Sequence, residues 1–157
     1  MACIIRSSHY APAVPSAEFE HTAVAPTSCA KAWQQLQNPD TWLGLAGVDE
    51  VFDTHHDLDG LMTAYRFRAT AASQVYEGTA RTVEAANPSK MVIDISTSEV
   101  TARITTLLSE VEEGVAVSVN VALRSKGFLS TLFFPVISQA MSSGLPKQVD
   151  AFAARLG

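Results

Sequence analysis

The stretch FLSTLFFPVISQAMSSGLPKQVDAFAARL, Phe128 to Leu156, decides how this chain is read. Its apolar residues recur at helical spacing: Leu129, Phe133, Ile137, Met141, then Leu145, Val149, Phe152 and Leu156. That period places them on one face of a helix. Pro135 and the step Gly144-Leu145-Pro146 interrupt it, and an interior proline costs roughly 3 kcal/mol. The stripe runs across both, so packing against another layer should outweigh the local cost. A break would leave two helices, about 129–143 and 146–156.

Working outward, the chain from Phe19 to Arg124 reads mostly as strands. Val115, Val117, Val119, Val121 and Leu123 form an apolar row opposite Ser118, Asn120 and Arg124, the period of a half-buried strand. Before it come strand-like segments at Thr97 to Val111, Met91 to Ser96, Gln74 to Glu84, Leu61 to Thr70 and Val48 to His56, with a first strand at Glu18 to Ala25. Asp57-Leu58-Asp59-Gly60, Asn87-Pro88-Ser89 and Glu112-Glu113-Gly114 are turn sequences between them. Gly78, inside a strand, predicts a bulge or sharp bend. Such short connections require antiparallel pairing, because parallel strands need long crossovers.

Between the first two strands the pattern changes. Thr27 or Ser28 can cap a helix over Ser28 to Gln37 that puts Cys29, Ala32, Trp33 and Leu36 on one face. Asn38-Pro39 stops it. Asp40 to Leu45 reads as a second short helical turn carrying Trp42, released by Gly44 and Gly47. The expected architecture is α+β: a curved antiparallel seven-stranded sheet gripping a long C-terminal helix, with two short helices between strands 1 and 2.

Specific residues meet that order. Val24-Ala25-Pro26, then Ala32-Trp33-Gln34-Gln35-Leu36, then Asn38-Pro39-Asp40-Thr41-Trp42 resemble the opening of the START-related, pollen-allergen-like (SRPBCC) superfamily. Tyr76-Glu77-Gly78-Thr79 with Asn87-Pro88 is similar to the mid-sheet pattern of two of its branches, the polyketide cyclase/dehydrase-like proteins and those related to carbon monoxide dehydrogenase. The resemblance spans about Glu18 to Leu156. It implies a helix-grip fold with an apolar cavity between sheet and helix, and binding of lipids, sterols, polyketides or similar molecules. A minority of such proteins are cyclases, dehydratases or hydroxylase components. No catalytic set of theirs can be matched here residue by residue.

Composition sets the remaining bounds. A chain of 157 residues, 47% hydrophobic and 17% charged, suits one folded domain over residues 17–157. Residues 1–16 read as a flexible arm, whose short apolar run, Ala2 to Ile5, is no signal-peptide core. The formal charge of −5, without a Lys/Arg stripe, disfavours nucleic acid as a partner. No apolar run approaches the ~20 residues of a membrane span, so a cytoplasmic protein is expected. Cys3 and Cys29 suggest two free thiols. No cofactor, metal or oligomeric state is read from the sequence.

Sharper chemical motifs are absent, including GxGxxG, P-loop, HExxH and GxSxG patterns. His55-His56-Asp57 reads as a solvated strand end, since adjacent strand side chains point to opposite faces. His21 could face the cavity or serve structure alone. Arg66 and Arg68 should face solvent if Tyr65 and Phe67 face inward. Glu77, Arg81, Glu99 and Arg103 read as cross-strand ion pairs on the outer face.

The expected partner is therefore a small apolar molecule or lipid. Its cavity candidates are Trp42, Tyr65, Phe67, Tyr76, Ile93, Ile95, Ile104, Leu108, Val117, Val119, Phe133, Ile137 and Met141, with access between the Trp42 segment and a helix jointed at Gly144 and Pro146. A pocket of roughly 300 Å3, left empty at 24 cal/mol per Å3, would cost on the order of 7 kcal/mol. Two rival readings remain. A cyclase or dehydratase needs two polar side chains converging in the cavity, such as His21 with Tyr65 or an arginine. A protein-interaction or membrane-assembly module predicts an exposed apolar patch at Phe128, Leu132 and Phe134.

Overall fold

Turn chemistry builds the sheet. In the computed structural model, which describes residues 15–71, 73–126 and 134–157, strand β1 (Ser16–Ala25) leads through helix α1 (Cys29–Leu36) and two 3-10 turns (Pro39–Trp42 and Leu45–Gly47) into a meander. Its strands are β2 (Val48–His56), β3 (Met62–Ala71), β4 (Gln74–Ala86), β5 (Lys90–Thr97), β6 (Val100–Val111) and β7 (Gly114–Ser125), and helix α2 (Phe134–Leu156) follows. All seven strands form one antiparallel sheet in the order β1-β7-β6-β5-β4-β3-β2. The expected arm falls almost wholly outside the described residues.

Alternation decides which face is core. Val115, Val117, Val119, Val121 and Leu123 of β7 are all buried, as are Ile104 and Leu108 of β6 and Tyr65, Phe67 and Ala69 of β3. Helix α2 lies against this face, principally along β1, β7 and the Leu45–Gly47 turn. It buries Met141, Leu145, Val149, Phe152 and Ala153.

α2 is one continuous 23-residue helix. Pro135 falls in its first turn, where no backbone donor is lost. Pro146 stands in the interior and leaves the Ser142 carbonyl without its usual partner. The stripe Met141, Leu145, Val149 and Phe152, almost fully buried, holds the helix together across it. The two-helix alternative is thus set aside, and its expected start at Leu129 lies outside the described residues.

Gly78 is neither a bulge nor a bend. It pairs directly with Phe67 across β3 and β4. A methyl built on it would overlap Cζ of the Phe67 ring and stand 2.7 and 2.9 Å from Cε1 and Cε2. Glycine is needed there so that the ring can lie over the strand backbone. The irregularity of β4 occurs further on, between Thr82 and Glu84.

Candidate functional site

The inward face is not uniformly filled. Toward the end of the sheet where α1 and the C-terminal half of α2 pack, Trp33, Leu36, Leu145, Val149 and Phe152 close the space. Toward the other end a cavity of about 100 Å3 remains. Its floor comes from Tyr65, Phe67, Ala69 and Ala71 of β3, Tyr76 of β4, Ile95 and Thr97 of β5, Val100, Ala102 and Ile104 of β6, and Val121 and Leu123 of β7. Pro39, Trp42, Leu45 and Ala46 wall one side, with Val48 and Val51 of β2, and α2 contributes Ile137 and Met141.

Chain direction locates the mouth. Antiparallel pairing brings the ends of β3, β5 and β7 and the starts of β4, β6 and α2 to one end of the sheet. Ala71, Thr97, Glu99 and Val100, all lining residues, stand there. The expected joint at Gly144 is elsewhere: that glycine packs toward the Leu45 side chain, and the helix residues facing the cavity are one and two turns earlier.

Local sequence explains the wall beside the mouth. Asn38 caps the first 3-10 turn, its side-chain oxygen accepting from the Asp40 N–H at 2.9 Å. Thr41 Oγ1 donates to the Gln35 carbonyl at 2.9 Å. These bonds set Trp42 between the two halves of the core, with its ring centroid 5.7 Å from that of Phe152. Gly47, at φ +83°, lies so close to the Thr70 carbonyl that any side chain would overlap it. The Leu45–Gly47 turn is thereby pressed onto β3.

Of the residues expected from sequence to surround a ligand, Trp42, Tyr65, Phe67, Tyr76, Ile95, Ile104, Ile137 and Met141 line the cavity. Ile93, Leu108, Val117 and Val119 are buried in the same core but do not line it. Leu108, Val117 and Val119 lie further along their strands, toward the closed end. Phe133 lies outside the described residues. Ala46, Ala69, Ala71, Val100 and Ala102 also line the space; small residues on the inward face are the signal that marks a site rather than a filled core.

The lining is almost entirely carbon. Its side-chain oxygens belong to Tyr65, Tyr76, Thr97 and Glu99. Thr97 Oγ1 is engaged by the N–H groups of Glu99 and Val100, at 3.1 and 3.0 Å, and donates to the Val100 carbonyl at 3.1 Å. Tyr76 donates to Gln74 Oε1 at 3.2 Å. Tyr65 is 7% exposed, and burial pushes its phenol up to about 12. Its hydroxyl has no protein hydrogen-bond partner among the described residues, yet it is not sealed from the cavity space.

The charged candidates are placed elsewhere. Arg66 and Arg68 face outward, where Glu77 bridges them at 3.1 and 3.0 Å. Arg66 also reaches Asp53, Arg68 reaches Glu50, and both guanidinium groups cover the Phe52 ring. The Arg68 hydrogen bond holds Glu77 below the ordinary carboxylate value. Arg103 pairs in a fork with Asp94, at 2.7 and 2.9 Å, and not with Glu99. Glu99 sits in the turn before β6 at the cavity rim, because Thr97 ends one strand and Val100 begins the next. His21 bonds Asp150 of α2 at 2.9 Å and does not line the cavity. His56 donates to the Gln37 carbonyl at 2.8 Å. Phe134 is buried, while Phe128 and Leu132 lie outside the described residues. Among the described residues no group of three or more His, Cys, Asp or Glu side chains is brought together. No described helix is long and apolar enough to cross a membrane.

A seven-stranded sheet wrapped on a long C-terminal helix, with short helices after β1, is the helix-grip α+β fold. Solved structures carry the same arrangement. A START superfamily protein from Mycobacterium smegmatis matches with a TM-score of 0.65 and 9% identity, over 89% of this chain and 99% of that one. The Zhui aromatase/cyclase from Streptomyces sp. R1128 matches with a TM-score of 0.65 and 10% identity, over 90% and 95%. Ara h 8.0201 matches with a TM-score of 0.58 and 14% identity, over 90% and 99%. No family model and no curated protein matches the sequence. At these identities the likeness is one of fold.

Proposed function

We propose that this protein binds a small apolar or amphipathic molecule, of lipid-, sterol- or polyketide-like character, between the sheet and α2. One observation carries the reading: a carbon-lined cavity beside an otherwise filled core. At 24 cal/mol per Å3, an empty space of about 100 Å3 costs about 2.4 kcal/mol. That is less than the 7 kcal/mol expected for a larger pocket, but a sizeable part of the roughly 5–15 kcal/mol that typically stabilises a domain. A cavity of this size takes one ring or a short chain (engineered apolar cavities of ~150 Å3 hold benzene). The rest of a longer ligand would extend through the mouth past Thr97 and Glu99.

Binding would be driven by burial of apolar ligand surface, at ~25 cal/mol per Å2 before entropic costs. A cyclase or dehydratase would need two polar groups in reach of one another inside the cavity. Tyr65 on β3 and Glu99 before β6 are three strand spacings apart, on the order of 14 Å of sheet, so binding is the better supported reading.

The test is native mass spectrometry of freshly purified protein, beside an Ala102→Trp variant that fills the cavity. A co-purifying or added apolar molecule should be retained by the wild type and lost by the variant. Equal retention by both would place the binding elsewhere.

A further inference from the structure

Tyr65 gives the cavity a chemical preference. Its side chain is more than nine-tenths buried, and the positions in line with it across the sheet are Ala80, Ile95, Ala102 and Leu123. None of those side chains offers an acceptor. The nearest ring, Phe67, is 6.4 Å away between centroids. A buried hydroxyl without a partner is penalised by its lost hydration, so a group that arrives with an acceptor oxygen recovers what the protein leaves unmet.

The other polar groups sharpen this. Trp42 also lines the cavity; its indole N–H can only donate, and it too has no acceptor among the described residues. Thr97 Oγ1 is already committed to three backbone groups. Among the described residues no cation lines the space, since Arg66 and Arg68 are held on the outer face by Glu77, Glu50 and Asp53. A carboxylate inserted here would be desolvated with nothing to pair it, which is heavily unfavourable. Burial keeps the Tyr65 phenol protonated far above neutral pH, so it remains a donor under all ordinary conditions.

We infer that the ligand enters with a neutral, oxygen-bearing end, a ketone, quinone or ether carbon skeleton rather than a free acid, and that the Tyr65 hydroxyl donates to that oxygen. The inference rests on the proposed binding function and names the class of ligand for the same cavity. Free fatty acids inserted carboxylate-first are excluded by it, whereas neutral aromatic or alicyclic carbonyl compounds are favoured. The Tyr65 hydroxyl is the selecting group and the surrounding carbon wall supplies the bulk of the affinity.

Three probes of similar size separate the possibilities: acetophenone, ethylbenzene and benzoate. Each is titrated by nuclear magnetic resonance into the wild type and into Tyr65→Phe, which keeps the ring and removes only the oxygen. The expected result is that Tyr65→Phe weakens acetophenone roughly five- to tenfold, the worth of one hydrogen bond, and leaves ethylbenzene within about twofold. Benzoate should not compete with either in the wild type. An equal effect of the substitution on acetophenone and ethylbenzene, or benzoate binding as tightly as acetophenone, would overturn the anchor while leaving the cavity reading intact. Failure of acetophenone and ethylbenzene alike to shift any resonance of Tyr65, Ile137 or Met141 would overturn the binding function itself. Ethylbenzene binding by Tyr65→Phe shows in the same experiment that the variant is folded.

Discussion

Gly78→Ala should reverse its sign according to what stands opposite. The glycine has ordinary extended backbone, so alanine fits the conformation and gains about 0.4–1 kcal/mol by restricting the unfolded chain. In the wild type that gain meets the Phe67 ring. A methyl would overlap its Cζ and crowd Cε1 and Cε2 at 2.7 and 2.9 Å, and forced overpacking typically costs about 1–3 kcal/mol. The net expectation is a destabilisation of about 1–2 kcal/mol. Phe67→Leu removes the atoms that clash. In that background Gly78→Ala should stabilise by about 0.5 kcal/mol, giving a coupling of about 1–3 kcal/mol between two residues in direct cross-strand register. Urea denaturation of the four proteins measures each value. The ring also has the cavity beside it to move into, so the single variant should lose affinity for an apolar probe as well. A Gly78→Ala effect of the same size and sign in both backgrounds would refute the account of why glycine is there.

Packing and charge supply three further tests. Phe152→Ala, at a side chain with no exposed surface and against Trp42, should cost about 3–5 kcal/mol in chemical denaturation. Asp94 is held below its ordinary 3.8 by the hydrogen bonds from Arg103; a depressed carboxylate stabilises above the unfolded value and loses that contribution as pH falls through the folded one. The gap in melting temperature between wild type and Arg103→Ala, small because the pair is exposed, should therefore close in acid below 3.8 and persist at neutral pH. Tyr65 behaves in the opposite sense. Raised from 10 to about 12, it favours the fold fully below pH 10 and weakens it as pH climbs further, and Tyr65→Phe should remove that alkaline loss along with one late-ionising step in the tyrosinate absorbance.

What is legible in the sequence follows from which interactions are local. The bounds of β2 can be read residue for residue, and β7 announces itself through five alternating apolar positions, because a strand's period is written in neighbouring residues. The inward parity of Tyr65, Phe67, Ile95 and Ile104 is readable for the same reason. Depth is not. Leu108, Val117 and Val119 share the inward face, but whether that face meets helix or empty space depends on Phe152, Trp33 and Leu36, far away in sequence. Gly78 reads as a bend because nothing along β4 tells which ring lies across it. Charge alone pairs Glu99 with Arg103, whereas Ser98-Glu99 is a turn; Thr97, whose hydroxyl receives the next two backbone N–H groups, is the available clue.

The order of the strands also has a consequence during synthesis. β2 through β7 each pair with the strand made just before or after them, but β1 pairs only with β7, with Ser16 opposite Arg124 and Ala25 opposite Val115. About 90–110 residues must be translated between the two partners, on the order of 5–20 s at typical ribosomal speeds. Throughout that interval β1 offers an unpaired edge and the apolar side chains Phe19 and Ala23 without a sheet to cover them. The meander can assemble through short-range hairpins, while docking of β1, which closes the longest loop in the sheet, comes last. The first of the seven strands to leave the ribosome is thus the last to be used, and it is where a nascent chain of this fold is most exposed to misassociation.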